Sequence, residues 1–109
     1  MSYSHSTYTT SRGLTYSYVH FAPKSPNNRY ILFLHGFPST SRDWRHQTSF
    51  FAEKGYGIIA PDLLGFGDTS KPTDLGMYKT KDMANDIVEI LTSENVGKVV
   101  GVAHDWYVF

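Results

Sequence analysis

The sequence predicts an α/β fold built on a mostly parallel sheet. Short, mostly apolar segments of strand length occur at Tyr30–Leu34, Tyr56–Ala60 and Lys98–Ala103. Two segments with helical spacing of apolar residues separate them, at about 42–54 and about 80–94. Strands that are joined through a helix lie parallel, with the helices packed on the faces of the sheet. We therefore predict the element order β-β-β-α-β-α-β.

The first part of the chain contributes strands and turns. Residues 1–12 are rich in Ser, Thr and Tyr and form either a solvated tail or an edge strand, while residues 13–109 form the core unit. Leu14–Phe21 is a predicted strand because β-formers dominate it and side chains of different size alternate. Pro23–Asn28 has turn chemistry. The residues that would share one face of an N-terminal strand are Tyr3, His5, Thr7 and Thr9.

The first predicted helix follows the strand Tyr30–Leu34. Ser41 is the predicted N-cap of a helix that runs from Arg42 to about Lys54, where Gly55 ends it. Its core-facing side is predicted from the i, i+4, i+7 spacing of three residues. These are Trp44, Thr48 and Phe51.

A long loop and a second helix follow the strand Tyr56–Ala60. The segment Pro61–Gly76 contains three glycines and two prolines, which predicts a loop. Thr80 is the predicted N-cap of a helix that ends near Glu94, and Lys98–Ala103 is the third buried strand. The apolar stripe of this helix, which we assign to the core, comprises Met83, Ala84, Ile87, Val88 and Leu91.

Composition excludes several function classes. The 109 residues carry ten basic and ten acidic side chains, which argues against nucleic-acid and acidic-membrane partners. Because there is no cysteine, we exclude disulfides, thiolate catalysis and cysteine-based zinc sites. No His/Asp/Glu cluster has metal-ligand spacing, and we predict no metal and no cofactor. The longest apolar runs have five residues, so we expect neither a membrane span nor a signal peptide and assign a cytoplasmic location by default.

Three polar segments follow predicted parallel strands, where functional residues gather in open sheets. They are His35-Gly36-Phe37-Pro38, the loop 62–70, and Ala103-His104-Asp105-Trp106. A carboxylate directly after a buried strand is costly unless it faces solvent, a partner or a site, which applies to Asp105. A turn such as His35–Pro38 can offer free backbone N–H groups. The amides of Phe37 and Trp106 could therefore converge on one developing oxyanion.

These motifs, in this order and spacing, resemble the α/β-hydrolase superfamily and specifically its epoxide hydrolases. His35-Gly36-Phe37-Pro38 is similar to the oxyanion-hole motif of that family, and 62–72 is similar to its Asp-x-x-Gly-x-Gly-x-Ser-x-x-Pro loop. Gly101–Trp106 is similar to the nucleophile elbow, with Asp where esterases carry Ser. The resemblance implies a partial α/β-hydrolase fold that comprises the first five strands and two crossover helices and lacks the C-terminal half and the cap.

The resemblance also implies roles for residues. Asp105 would be the nucleophile that opens a small-molecule epoxide to an alkyl-enzyme ester, without needing a base for its first attack. The amides of Phe37 and Trp106 would hold the oxyanion when that ester hydrolyses. Supporting roles in the two motifs fall to His35, Gly36, Pro38 and His104.

The family pattern breaks after Trp106. Tyr107 and Val108 stand where the family has small residues, and the later strands, lid, supporting acid and catalytic His have no counterpart in the 109 residues. We therefore expect no turnover from this chain alone. We also expect a bare apolar edge at Val99–Ala103 that is open to pairing or aggregation. The alternatives are a haloalkane dehalogenase-like fragment, a non-catalytic interaction module, and a hydrolase completed by another chain.

Overall fold

The computed structural model describes residues 5–36 and 39–104. Within them, five strands and two α-helices follow one another in the predicted order. They are β1 (His5–Thr9), β2 (Thr15–Phe21), β3 (Tyr30–Leu34), α1 (Arg45–Glu53), β4 (Gly57–Pro61), α2 (Thr80–Ser93) and β5 (Val99–Ala103). Short 3₁₀ segments at Ser41–Trp44 and Leu75–Tyr78 precede the two helices.

The strands form one sheet in the order β1-β2-β4-β3-β5. β3 lies between β4 and β5 and pairs parallel with both. The hairpin of β1 and β2 extends the sheet with antiparallel pairing, through β2 to β4. The predicted architecture, with a mostly parallel sheet and two crossover helices, is confirmed.

Helices cover both faces of the sheet. On one face, α2 packs against Tyr16, Tyr18, Leu32 and Leu34 through an apolar stripe that includes Ile87. On the other face, α1 places Ala52 against buried side chains of the three central strands, which are Val19, Ile31, Phe33, Ile58 and Ala60. Since side chains alternate along a strand, these two sets occupy alternate positions of the same strands.

The α1 stripe lies where the spacing predicted it, but the helix begins differently. Thr48 is fully buried, and the Phe33 ring lies 5.3 Å from that of Trp44 and 6.4 Å from that of Phe51. The predicted N-cap, Ser41, is wrong. The Thr40 side chain caps the 3₁₀ turn by accepting from the Arg42 N–H.

Ser41 is the first residue of that turn, and its backbone N–H donates to the Asp62 carboxylate, 21 residues later. A similar one-residue shift occurs at α2. Lys79 occupies the N-cap position without a side-chain hydrogen bond, and Thr80 is the first helical residue.

β5 differs from the prediction of a buried strand. It pairs only with β3 among the described strands. Three of its five residues are exposed and the other two are half-buried, with Val100 44% exposed. The apolar run Val99–Ala103 predicted burial because such runs are typical of strands in the middle of a sheet. Its position at the edge agrees with the expectation of a bare apolar strand.

A buried ion pair fastens α2 to the β1–β2 hairpin. Asp86 is 1% exposed and accepts from Arg12 Nε at 3.1 Å, from Arg12 Nη2 at 2.5 Å and from the Tyr16 hydroxyl at 2.7 Å. Burial, followed by the hydrogen bond to Asp86, raises the pKa of Tyr16 far above its ordinary value. Nearby, Glu89 accepts from the backbone and the hydroxyl of Ser11. These contacts fix the position of α2, which lies beside β5 on one face of the sheet.

No helix within residues 5–36 and 39–104 is long and apolar enough to span a membrane.

Candidate functional site

The carboxyl ends of the three parallel strands meet at one edge of the sheet. Leu34, the last residue of β3, pairs in register with Ala103, the last residue of β5. The ladder continues one residue further, because the His104 N–H donates to the Leu34 carbonyl at 3.2 Å. The chain segments that begin at His35 and His104 therefore leave the sheet side by side.

His35 is a fully buried polar side chain whose two ring nitrogens are both used. Nδ1 lies 2.8 Å from the Gly36 carbonyl oxygen, and Nε2 lies 2.9 Å from the Leu63 backbone nitrogen. Since a carbonyl only accepts and an N–H only donates, the ring is assigned as the Nδ1–H tautomer. The ring also meets Phe66 edge-on, with 5.5 Å between centroids. His35 thus ties the turn after β3 to the loop after β4.

Asp62 organises that loop from its first position. Its buried carboxylate accepts the Ser41 N–H at 2.8 Å through Oδ1 and the Asp68 N–H at 3.1 Å through Oδ2. One charged group therefore joins the loop after β4 to the segment that leads into α1. Hydrogen bonds to a carboxylate are among the stronger ones in proteins.

Gly67 is required by this arrangement. Its φ of +54° is in the left-handed region, and a Cβ built there would lie 2.3 Å from Asp62 Oδ2. A side chain at this position would displace the carboxylate and with it both of its hydrogen bonds.

Thr69 fastens the same loop to β2. Its hydroxyl donates to the Asp62 carbonyl at 2.6 Å and accepts the Ser17 N–H at 3.0 Å. The Ser70 N–H donates to the Thr15 carbonyl at 2.8 Å, and the Ser70 hydroxyl accepts the Thr15 N–H. The loop 62–70 is consequently a rigid support beside the edge where β3 and β5 end.

The structure places some of the predicted site residues and leaves others open. His35 and Gly36 are buried at the carboxyl edge, and the side chain of His104 is exposed there. The remaining predicted site residues lie outside the described residues. They are Phe37, Pro38, Asp105 and Trp106. Among the residues that the structure describes, no group of three His, Asp or Glu side chains is arranged to hold a metal ion.

Sequence reasoning missed the connection between Asp62 and Ser41. The signal that could have located it is the pair of loop glycines, Gly65 and Gly67, which both have positive φ. When glycines follow closely after a carboxylate at the end of a strand, they often mark a backbone that folds around that carboxylate as a hydrogen-bond acceptor.

Comparison with known proteins places this geometry in a family. A family model described as the alpha/beta hydrolase fold matches residues 30–106. Epoxide hydrolase 2 of Siraitia grosvenorii is 45% identical over 76 residues, which cover 70% of this chain and 24% of that protein. Epoxide hydrolase B of Mycobacterium tuberculosis is 34% identical over 95 residues, which cover 87% of this chain and 27% of that protein.

Solved structures give the same result. An epoxide hydrolase from Vigna radiata is similar with a TM-score of 0.85 and 36% identity, covering 95% of this chain and 31% of that one. The chain thus spans about a quarter of the length of the curated relatives that it matches. The order of the motifs, the sheet topology and the matched range all point to the same family. We conclude that the chain belongs to the α/β-hydrolase family and is an epoxide hydrolase-like part of that fold.

Proposed function

We propose that this chain carries the nucleophile and the oxyanion turn of an epoxide hydrolase. The observation that carries the proposal is the parallel pairing of β3 with β5 up to Leu34 and Ala103. It brings His35-Gly36, which precedes Phe37, beside His104, which precedes Asp105. The matching proteins are named as epoxide hydrolases, and this supports an epoxide as the substrate.

The proposed chemistry has two steps. In the first, an Asp105 carboxylate oxygen attacks an epoxide carbon, the ring C–O bond breaks, and the alkoxide takes up a proton, which leaves a hydroxyalkyl ester on Asp105. In the second, water adds to the ester carbonyl, and the Phe37 and Trp106 N–H groups stabilise the oxyanion. Release of the diol restores the carboxylate and returns a proton.

Hydrogen bonds of His35 and Asp62 hold the chain on either side of the proposed oxyanion turn. His35 fixes the Gly36 carbonyl through Nδ1, which orients the peptide that leads to Phe37. Asp62 fixes the start of the segment that follows the turn, through the Ser41 N–H. We expect a donor that lies between two anchored segments to need little reorganisation when charge develops, which is the property that such a site requires.

Chain 1–109 by itself is proposed to stop after the first step. Ester hydrolysis needs a general base that activates water, and the proposed roles of His35 and His104 are structural. The Nε2 of His35 is already occupied by the Leu63 N–H. An ester on Asp105 would therefore persist.

Mass spectrometry of the purified chain with a styrene-oxide-type substrate tests the proposal. We expect at most one equivalent of adduct, with the mass of the whole epoxide, located on Asp105 by peptide mapping. We expect no adduct on this peptide in Asp105→Asn and no sustained formation of diol by either protein. Labelling at another carboxylate would contradict the nucleophile assignment. Continued diol production by the wild-type chain would contradict the single-turnover proposal.

A further inference from the structure

Four polar side chains meet where the end of α2 lies against the sheet, at the amino ends of the parallel strands. His20 and Tyr18 are on β2, two positions apart and therefore on the same face. Tyr30 is the first residue of β3, and Glu94 directly follows the last residue of α2. The candidate site lies at the opposite, carboxyl edge of the sheet, so this cluster takes no part in the proposed chemistry.

His20 lies between two hydrogen-bond partners. Its Nε2 is 3.0 Å from the Tyr30 hydroxyl oxygen and 3.7 Å from Glu94 Oε1. The rings of His20 and Tyr30 are nearly parallel, with 6° between their planes. A neutral imidazole can accept the Tyr30 hydroxyl proton at Nε2. A protonated imidazole can only donate there, and a carboxylate is then the stronger acceptor.

Glu94 is held in place independently of His20. Its Oε2 accepts a hydrogen bond from the Tyr18 hydroxyl, and its backbone N–H donates to two carbonyls of the last turn of α2. Asn95 follows with a φ of +58°, which ends the helix in the left-handed conformation. The carboxylate therefore has one constant partner on Oε2 and turns Oε1 towards His20.

The two tyrosines of the cluster keep their protons near neutral pH. Burial, followed by the hydrogen bond to Glu94, raises the pKa of Tyr18 far above its ordinary value. Burial, followed by the charge of Glu94, also raises the pKa of Tyr30. Between pH 8 and pH 6 an ordinary carboxylate stays ionised, whereas an ordinary imidazole gains its proton. Within the cluster, His20 is therefore the group that changes charge in this range.

The neighbouring elements do not compete with Glu94 for this role. Ile59, the register partner of His20 on β4, is apolar. His5 of β1 pairs with a residue of β2 whose side chain packs on the α1 face, which is the opposite face of the sheet. Arg29 and Lys98, which precede β3 and β5, are exposed, and such cations keep their charge from pH 8 to pH 6.

We propose that His20 and Glu94 form a pH-sensitive latch that fastens the end of α2 to β2. At pH 8 the neutral ring pairs with Tyr30, and as the pH falls towards 6 the protonated ring donates to Glu94. Protonated His20 has this carboxylate partner only in the folded chain, so protonation favours folding. The stabilisation is complete on the acidic side of the histidine titration and is lost as the pH rises through it.

The latch acts on the connection between α2 and the strand that leads to the candidate site. Residues 95–98 join the end of α2 to β5. Both latch side chains are about one-fifth exposed, 21% for His20 and 22% for Glu94, so solvent protons reach the pair and its strength is moderate. The inference concerns the fold and does not depend on the role of Asp105.

A double-mutant cycle in urea tests the latch. Unfolding of chain 1–109, His20→Gln, Glu94→Gln and the double variant is measured at pH 8 and pH 6. At pH 6 we expect the two substitutions to be coupled by roughly threefold to fivefold in the unfolding equilibrium constant, and at pH 8 by less than about 1.5-fold. Titration of the other histidines is common to all four proteins and cancels in the cycle. The matched control pairs Glu94→Gln with His46→Gln, an exposed histidine of α1, and we expect no coupling at either pH.

Amide exchange gives a local measurement of the same contact. The Val96 N–H donates to the Leu91 carbonyl at 2.9 Å, just after Glu94. We expect Glu94→Gln to lower the protection factor of this amide at pH 6 and to leave it unchanged at pH 8, while protected amides of β3 establish that each variant folds. Additive effects of the two substitutions at pH 6 would overturn the proposal. Coupling of equal size at pH 8, or equal coupling in the His46 cycle, would also overturn it.

Discussion

Replacing His35 by phenylalanine tests how the turn after β3 is held. Phenylalanine has a similar ring and can retain the edge-on contact with Phe66, but it removes both hydrogen bonds of the imidazole. The Leu63 N–H and the Gly36 carbonyl then lose their partners in a buried region. An orphaned buried polar group costs about 1–3 kcal/mol, so two cost about 2–6 kcal/mol. This is a large share of the roughly 5–15 kcal/mol by which whole domains are stable.

Amide hydrogen exchange and urea unfolding of the chain measure this effect. In the wild type we expect the Leu63 amide to be protected by its bond to Nε2, and in His35→Phe we expect that protection to be lost. His35→Gln is the matched control, because its side-chain oxygen can accept the Leu63 N–H. His35→Asn is the second control, because its amide can donate to the Gly36 carbonyl. Each control is expected to recover part of the free energy of unfolding.

The result that would refute this reasoning is specific. If His35→Phe unfolds within about 0.5 kcal/mol of the wild type and the Leu63 amide stays protected, the imidazole does not hold the two segments together. If His35→Gln and His35→Asn recover no stability relative to His35→Phe, the loss does not arise from the two hydrogen bonds of the imidazole.

Two further predictions concern the contacts between α2 and the β1–β2 hairpin. Arg12→Met leaves Asp86 buried with one partner. Because the Arg12 side chain is 21% exposed, we expect the free energy of unfolding in urea to fall by about 3 kcal/mol, the lower end of the usual loss, and to be mostly recovered in Arg12→Met/Asp86→Leu. Equal losses in the single and double variants would refute the pairing. Since the pKa of Tyr16 is raised in the folded chain above its ordinary 10.0, its stabilisation is complete below pH 10 and declines above it, by about 1.4 kcal/mol per pH unit. Tyr16→Phe should reduce the alkaline slope of unfolding free energy by that amount, and an unchanged slope would contradict the raised pKa.

Much of the fold could be predicted because the signals are local. The strand Tyr30–Leu34 has the predicted bounds, and the other parallel strands and both helices lie within a few residues of theirs. Apolar runs and helical spacing report burial directly, since each side chain's face is fixed by the period of its element. The helix starts were less accurate, because neighbouring hydroxyl residues offer the same capping chemistry, and Thr40 rather than Ser41 caps the turn before α1.

The candidate site shows the same division between local and distant information. The sequence alone determined the order of the motifs, the carboxylate at 105 and the glycines that let the loop close, because residue type and spacing are written along the chain. Only the tertiary structure decided that Leu34 and Ala103 end side by side and that His35 joins Gly36 to Leu63. Strand order and register depend on contacts between residues that are distant in sequence, and no single segment encodes both partners of such a contact.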